Sequence, residues 1–358
     1  MNSKGRILAA VEHAPCDRLP VDFWATSEIK ERLKAHLNLP SDEALLQALG
    51  VDIRIVRPKY IGPELKVNEC GKLKDIWGVL RKKVKYDGGY YWEVSHYPLA
   101  AVEESSELAG YRWPDPDYYD YGEVARQAEN YPEYAVMNTA QRLNRTSLLH
   151  AAVYLRGMDL FMMDMVLRPQ LAKAILKHIA AYFLAHNERI FRASRGLVDI
   201  FMLGDDFGGQ DGPLLSLSMW REFFASGLGE FIAQAKSYSL EVMFHSCGSI
   251  KPLIPDLIRL GVDILNPIQV RAKDMDPVRL KAEFGERVTF HGGIDIQETL
   301  PRGTVDEVRA EVRKMKRALG PTGYILAPTH NIQVDTPIQN VLAMYEEAKE
   351  VLSVKSEV

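Results

Sequence analysis

The sequence predicts an α/β chain folded as a (β/α)8 TIM barrel, and three observations carry that expectation. Four short apolar runs in the C-terminal half end in polar residues, Asp199-Ile-Phe-Met-Leu-Gly-Asp205, Glu241-Val-Met-Phe-His245, Asp263-Ile-Leu-Asn266 and Val288-Thr-Phe-His291, and a fifth, Tyr324-Ile-Leu-Ala327, leads to His330. A helical pattern follows each, and runs this short and apolar suit strands of a parallel sheet covered on both faces. No GxGxxG fingerprint follows an early strand, which weighs against a nucleotide-binding open sheet, the alternative that gives similar local signals.

The earlier elements fit the same plan. Leu19-Pro-Val-Asp-Phe-Trp24, Val51-Asp-Ile-Arg-Ile-Val56 and Ala135-Val-Met-Asn138 supply the first three strands, so eight fit one domain spanning residues 1–358. The stretch 72–98 breaks the rhythm, because Leu80-Arg-Lys-Lys-Val-Lys and Tyr90-Tyr-Trp-Glu-Val flank Gly88-Gly89, the dipeptide of a tight turn. It reads as an inserted β-hairpin, with Tyr90, Tyr91 and Trp92 packing across strands or forming a lid or partner rim. Thr304-Val-Asp-Glu307 and Thr336-Pro337-Ile-Gln339 have the form of capping boxes, and Gly261 and Gly320 stand where helices should stop.

Composition narrows the function. A net charge of -4 over 358 residues gives no basic field to hold a phosphate backbone, so a nucleic-acid partner is not expected. Three cysteines, Cys16, Cys70 and Cys247, are too few and oddly numbered for a disulfide framework, which points to a reducing compartment. Charged residues interrupt Met1–Arg18, unlike a signal peptide, and no run has the apolar length of a membrane span. A soluble, cytoplasmic protein is expected, with a homodimer left open.

His245 and Cys247 are two apart on one strand, so both side chains point to the same face and can share a ligand. His330 closes the last apolar run, 83 residues after Cys247, a spacing natural for metal ligands on different strands. His245, Cys247 and His330 together form a zinc-type donor set with a fourth position open. The competing reading makes them two hydrogen-bonded core histidines and a small buried thiol. Asp205 and Asp206 end the preceding strand as candidate catalytic carboxylates, unless they cap a helix or loop. Trp24, Asn138, Asn266, Gln269 and His291 stand at other strand ends as candidate substrate-binding groups, loop-stabilising contacts being the alternative.

Five runs in this order, Gly204-Asp-Asp-Phe-Gly-Gly-Gln-Asp-Gly-Pro213, His245-Ser-Cys-Gly-Ser249, Asp263-Ile-Leu-Asn-Pro-Ile-Gln269, His291-Gly-Gly-Ile-Asp295 and Ile325-Leu-Ala-Pro-Thr-His-Asn-Ile332, resemble the uroporphyrinogen decarboxylase-like superfamily. The resemblance runs from Arg6 to about Glu350 and is most specific in the C-terminal half. It implies either metal-free porphyrinogen decarboxylation or zinc-dependent methyl transfer to or from cobalamin on a separate corrinoid protein. The decarboxylase pattern carries an arginine-bearing loop after its first strand. Here that stretch reads Phe23-Trp-Ala-Thr-Ser-Glu-Ile-Lys30, with no arginine before Arg32, so a polycarboxylate would lack its clamp.

The methyltransferase branch uses a His-x-Cys pair and a later cysteine as zinc ligands. His245 and Cys247 match the pair, and His330 stands in place of the cysteine. One thiolate with two neutral imidazoles would leave zinc a positive charge and suit it to the oxygen of a methyl ether. The expectation is therefore a zinc-dependent corrinoid methyltransferase of the O-demethylase type acting on a small methylated substrate. Decarboxylation of uroporphyrinogen, methylation of a thiol, and a non-catalytic barrel that binds a tetrapyrrole or corrinoid protein remain the alternatives. No histidine has an aspartate two residues before it, so the Asp-x-His-x-x-Gly cobalamin motif is absent and the corrinoid must arrive on a partner.

Overall fold

The structure is a computed structural model and describes residues 1–86, 89–140 and 144–350. Its centre is a curled sheet of seven parallel strands: β1 (Ile53–Val56), β2 (Ala135–Asn138), β3 (Ile200–Gly204), β4 (Glu241–His245), β5 (Ile264–Ile268), β6 (Thr289–Ile294) and β7 (Tyr324–Pro328). They pair in chain order, which right-handed strand–helix–strand connections produce. The registers Gly204 opposite His245 and Asn266 opposite His245 set the C-terminal ends of β3, β4 and β5 side by side.

Alternation along the strands divides the core. Ile53, Met137, Ile200, Met202, Met243, Ile264 and Ile325 form one buried cluster inside the curl, joined by Ile7 and Ala10 from the helix Ser3–Val11. That helix closes the N-terminal end, where the Thr289 hydroxyl donates to the Ala10 carbonyl. The intervening side chains, such as Val136, Phe201, Val242 and Phe290, face outward into the larger cluster under the helices. Both sheet faces are thus covered, and the strands are mostly apolar, with Arg54, Asn266 and His291 among the buried polar exceptions.

The first expected strand departs from regularity. Val21 makes an isolated parallel bridge to Leu326, the Asp22 amide donates to the Leu326 carbonyl, and the Asp52 amide donates to the Val21 carbonyl. The segment therefore bonds to β7 on one side and to the residues leading into β1 on the other. Pro20 has no amide hydrogen to extend the ladder.

Leu80–Tyr86 and Gly89–His96 pair antiparallel, and Lys72–Lys74 adds a third strand to this separate sheet. Gly88 lies outside the described residues. The Tyr91 hydroxyl donates to Gln333, so the small sheet leans on the loop after β7. Thr304 and Glu307 form the capping box expected of them. Thr336 does not: the helix Ile338–Lys349 starts without a side-chain cap, and the buried Thr336 hydroxyl has no hydrogen bond. Gly261 ends its helix at a φ of 103°, whereas Gly320 ends its helix in extended backbone.

Candidate metal centre

β3 runs straight into Asp205 and Asp206, and the two carboxylates serve different ends. Asp205 is fully buried, and its oxygens accept the amides of Leu148, Leu149 and His150 at 2.7, 3.0 and 2.7 Å. Those amides are the free donors at the start of the helix Leu149–Arg156, so Asp205 caps a helix that precedes it in sequence. Asp206 points the other way. Its Oδ1 accepts the Cys247 amide at 3.1 Å and lies 3.3 Å from His245 Nε2, while Oδ2 lies 3.2 Å from His150 Nε2.

β4 ends in His245, and the loop after it turns back over β3. An ideal Cβ on Gly248 would lie 2.3 Å from the Gly208 carbonyl oxygen, and Gly248 has a φ of +83°, so only glycine permits this approach. The Ser249 amide donates to Gly209 and the Phe207 amide to the Ser246 hydroxyl, locking the two loops together. Packing backbone on backbone is what brings Cys247 to Asp206. Sγ of Cys247 lies 3.5 Å from His245 Nε2, and one donor atom from each of Asp206, His245 and Cys247 falls within 4.8 Å of the others.

Burial and the charge of Arg145 push His245 down to about 4, against the pull of Asp206 and Asn266. It is a neutral imidazole at neutral pH, the form that binds a metal. Burial would raise the Asp206 carboxyl, but hydrogen bonds and charge from His150 and His245, when those rings carry a proton toward it, outweigh burial and hold the group well below the usual carboxylate range. The site therefore presents a carboxylate, a neutral imidazole and a thiol at one point. That donor set fits a divalent transition metal such as zinc.

His330 stands outside this trio. Its ring centroid is 6.4 Å from that of His245, and it is exposed. It lines the same cavity of about 340 Å³ as Cys247, together with Gly248, Gln269 and Thr329. Gln269 turns its side-chain oxygen to the Gly248 amide at 2.7 Å. Trp24 lies beside the centre, its ring stacked at 5.9 Å on His245 and its Nε1 donating to Asp22. Asn266 and His291 are buried under His245 and bonded to it in series.

Asn138 is not brought to the centre. It sits on the outward face of β2, donates to the Val56 carbonyl, and lines a separate cavity of about 330 Å³ with Arg57, Tyr60, Trp92 and Tyr119. Asp22 and His150 are the neighbours of the site that sequence reasoning missed. Asp22 is the one charged residue inside the first apolar run, Leu19–Trp24, which is a usable signal; His150 has none, since no periodic pattern surrounds it.

The family description Uroporphyrinogen decarboxylase (URO-D) matches residues 146–351, a stretch that includes Asp206, His245, Cys247 and His330. The chain belongs to the uroporphyrinogen decarboxylase family. Within that family it resembles methyltransferases. It is 30% identical over 146 residues to the methylcobamide:CoM methyltransferase MtaA of Methanosarcina barkeri, and 29% identical over 146 residues to the MtaA of Methanosarcina barkeri strain Fusaro. Each match spans 41% of this chain and 40% of the relative, so it covers well under half of either protein. A solved methyltransferase from Methanosarcina mazei shares the fold across 97% of this chain and 98% of its own, with a TM-score of 0.68 and 19% identity. No helix among the described residues is long and apolar enough to cross a membrane.

Proposed function

We propose that this protein is a metal-assisted methyltransferase that moves a methyl group between a small methylated molecule and a corrinoid carried by a separate protein. The observation that carries this reading is the convergence of Asp206, His245 and Cys247 on one point, in a chain whose matched relatives are methylcobamide methyltransferases. His245, Cys247 and Asp206 would hold a zinc ion, with His330 available at the rim of the same cavity. When bound, the ion would supply Lewis acidity to the substrate heteroatom that loses or gains the methyl group.

The remaining residues prepare that point. His245 is kept neutral by burial, Trp24 covers it on one side, and Gln269 holds the Gly248 turn on which Cys247 depends. Asp205 acts through the helix it caps. The cavity of about 340 Å³ suits a small substrate, and the rim near His330, bounded by the loop that Tyr91 contacts, is the face for a corrinoid partner. The whole chain acts as one (β/α)8 domain of the cytoplasm, with the segment at Val21 in the eighth strand position.

A carboxylate in place of a second thiolate makes the ion harder, which favours the oxygen of a methyl ether. Asp206 also gives zinc two anionic donors and formal neutrality, as two thiolates would, and this observation favours a thiol substrate. Incubation with a methyl ether and a cob(I)alamin-loaded corrinoid protein, beside methylcobalamin and a small thiol, separates the two by which reaction changes the corrinoid spectrum. Turnover should stop when a chelator removes the metal and return with zinc. Turnover indifferent to metal removal, or decarboxylation of uroporphyrinogen, would sink the proposal.

A further inference from the structure

Behind His245 runs a buried chain of hydrogen bonds that ends on a carboxylate. His245 Nδ1 lies 2.5 Å from Asn266 Oδ1, Asn266 Nδ2 lies 2.6 Å from His291 Nδ1, and His291 Nε2 lies 3.0 Å from Asp22 Oδ2. All four residues are at most 3% exposed. Asp22 has no latitude, because its Oδ1 already accepts the Phe23 amide at 2.8 Å and its Oδ2 the Trp24 indole at 2.7 Å. The Tyr345 hydroxyl fixes the Asp22 backbone from behind, donating to its carbonyl at 2.8 Å.

The direction of the chain follows from its acceptor end. A carboxylate that accepts two other hydrogen bonds accepts from His291 as well, so Nε2 of His291 donates to it, and Nδ1, which faces the Asn266 amide nitrogen, is the ring's acceptor. The Nδ1 lone pair takes a hydrogen from the Asn266 amide nitrogen, which turns the amide oxygen to His245. The oxygen accepts from Nδ1 of His245, leaving the His245 Nε2 lone pair facing Asp206 and Cys247.

We propose that Asp22, His291 and Asn266 are positioning residues that set the His245 tautomer, holding the Nε2 lone pair toward the metal position. The inference rests on the metal reading given above and adds how the ligand is prepared for it. It also moves Asn266 and His291 from substrate contact to support of His245. Reversing one link reverses the rest: an amide at position 22 that keeps its oxygen on the Phe23 amide turns its nitrogen to His291 and gives up the Trp24 indole bond, the His291 proton then moves to Nδ1, Asn266 turns over, and His245 carries its proton on Nε2, where it blocks a metal.

Long-range proton–nitrogen correlation on the full chain, labelled at histidine and kept metal-free with a chelator, reads the tautomer without any catalysis. In the native protein His245 should show a protonated Nδ1 and an unprotonated Nε2. Asp22→Asn should exchange the two signals, Asn266→Leu should mix them, and Asn266→Asp, which keeps an acceptor facing His245, should restore the native pattern. Zinc competition against a chromophoric chelator should weaken by roughly 10- to 100-fold in Asp22→Asn and Asn266→Leu, and stay near native in Asn266→Asp.

An Nε2-protonated His245 in the native protein overturns the proposal, as does an Asp22→Asn protein with the native spectrum and native zinc affinity. Should the variants not fold, the native spectrum alone decides. Failure of the metal reading looks different: His245→Ala would then bind zinc as the native chain does, whatever the tautomer spectrum shows.

Discussion

Oδ1 of Asp206 lies 3.3 Å from Nε2 of His245, two atoms that cannot hydrogen-bond to each other when the imidazole carries its proton on Nδ1. Cys247 Sγ stands 3.5 Å from the same nitrogen. Three potential metal-ligating atoms thus face one another in a largely buried place, where a divalent cation could be shared among them.

Asp206 should matter to metal binding as much as Cys247 does. Asp206→Ala, His245→Ala and Cys247→Ala are each expected to lower bound zinc from one ion per chain towards none, measured by elemental analysis after dialysis. His330→Ala should weaken binding less, because its ring is 6.4 Å from that of His245 and outside the close trio. Full loss of zinc in His330→Ala with retention in Asp206→Ala would restore the set His245, Cys247 and His330.

Asp205 is expected to act on stability. Removing its carboxylate leaves the amides of Leu148, Leu149 and His150 unpaired in a buried place, so Asp205→Ala should cost about 2–4 kcal/mol in urea unfolding. Asp205→Asn keeps one oxygen and should cost less. An Asp205→Ala protein as stable as the native chain would contradict the cap.

The separation of these two neighbours marks the limit of what sequence could reveal. β4 was legible as Glu241–His245 because three apolar residues between polar ends leave little freedom of register, and the pair His245 and Cys247 followed from a period of two. Which aspartate would turn inward was not legible, since the donors that claim Asp205 lie some 55 residues earlier in a helix with no capping signal of its own. His330 and Asn138 were placed by strand-end logic alone. Asn138 faces outward, where the alternation set by Ala135 and Met137 puts it, and that inward set is fixed by packing inside the curl. The Thr336 capping box failed because its hydroxyl is buried instead of turned to the helix start.

Acidification should destabilise the metal-free protein between about pH 6.5 and pH 4. Burial and nearby arginine charges, Arg189 for His186 and Arg145 for His245, push both histidines down to about 4. The unfolded chain takes up protons on both as pH falls below about 6.5, while the folded chain resists until about 4, so stability present above that window is lost on descending through it. Each histidine contributes up to ~3 kcal/mol to this loss. Urea midpoints at pH 7.5, 6.0 and 4.5 should fall in that order, and His186→Gln should flatten the slope. A midpoint constant across that range would show that neither imidazole is held neutral by the fold.

Two glycines of the loops that carry Asp206 and Cys247 should respond unequally to an added methyl group. At Gly248 the Cβ would meet the Gly208 carbonyl oxygen at 2.3 Å with φ at +83°, so the β3 and β4 loops must part and Cys247 must leave Asp206. At Gly209 the nearest atom, the Gly212 carbonyl oxygen, is 3.5 Å away, an ordinary contact. Gly248→Ala should therefore lose roughly 2–4 kcal/mol of stability and most of its zinc affinity, while Gly209→Ala should change stability by about 1 kcal/mol or less and keep the metal. Equal effects of the two substitutions would mean that the close approach of the loops does not hold the site together, and the cluster of Asp206, His245 and Cys247 would then need another cause.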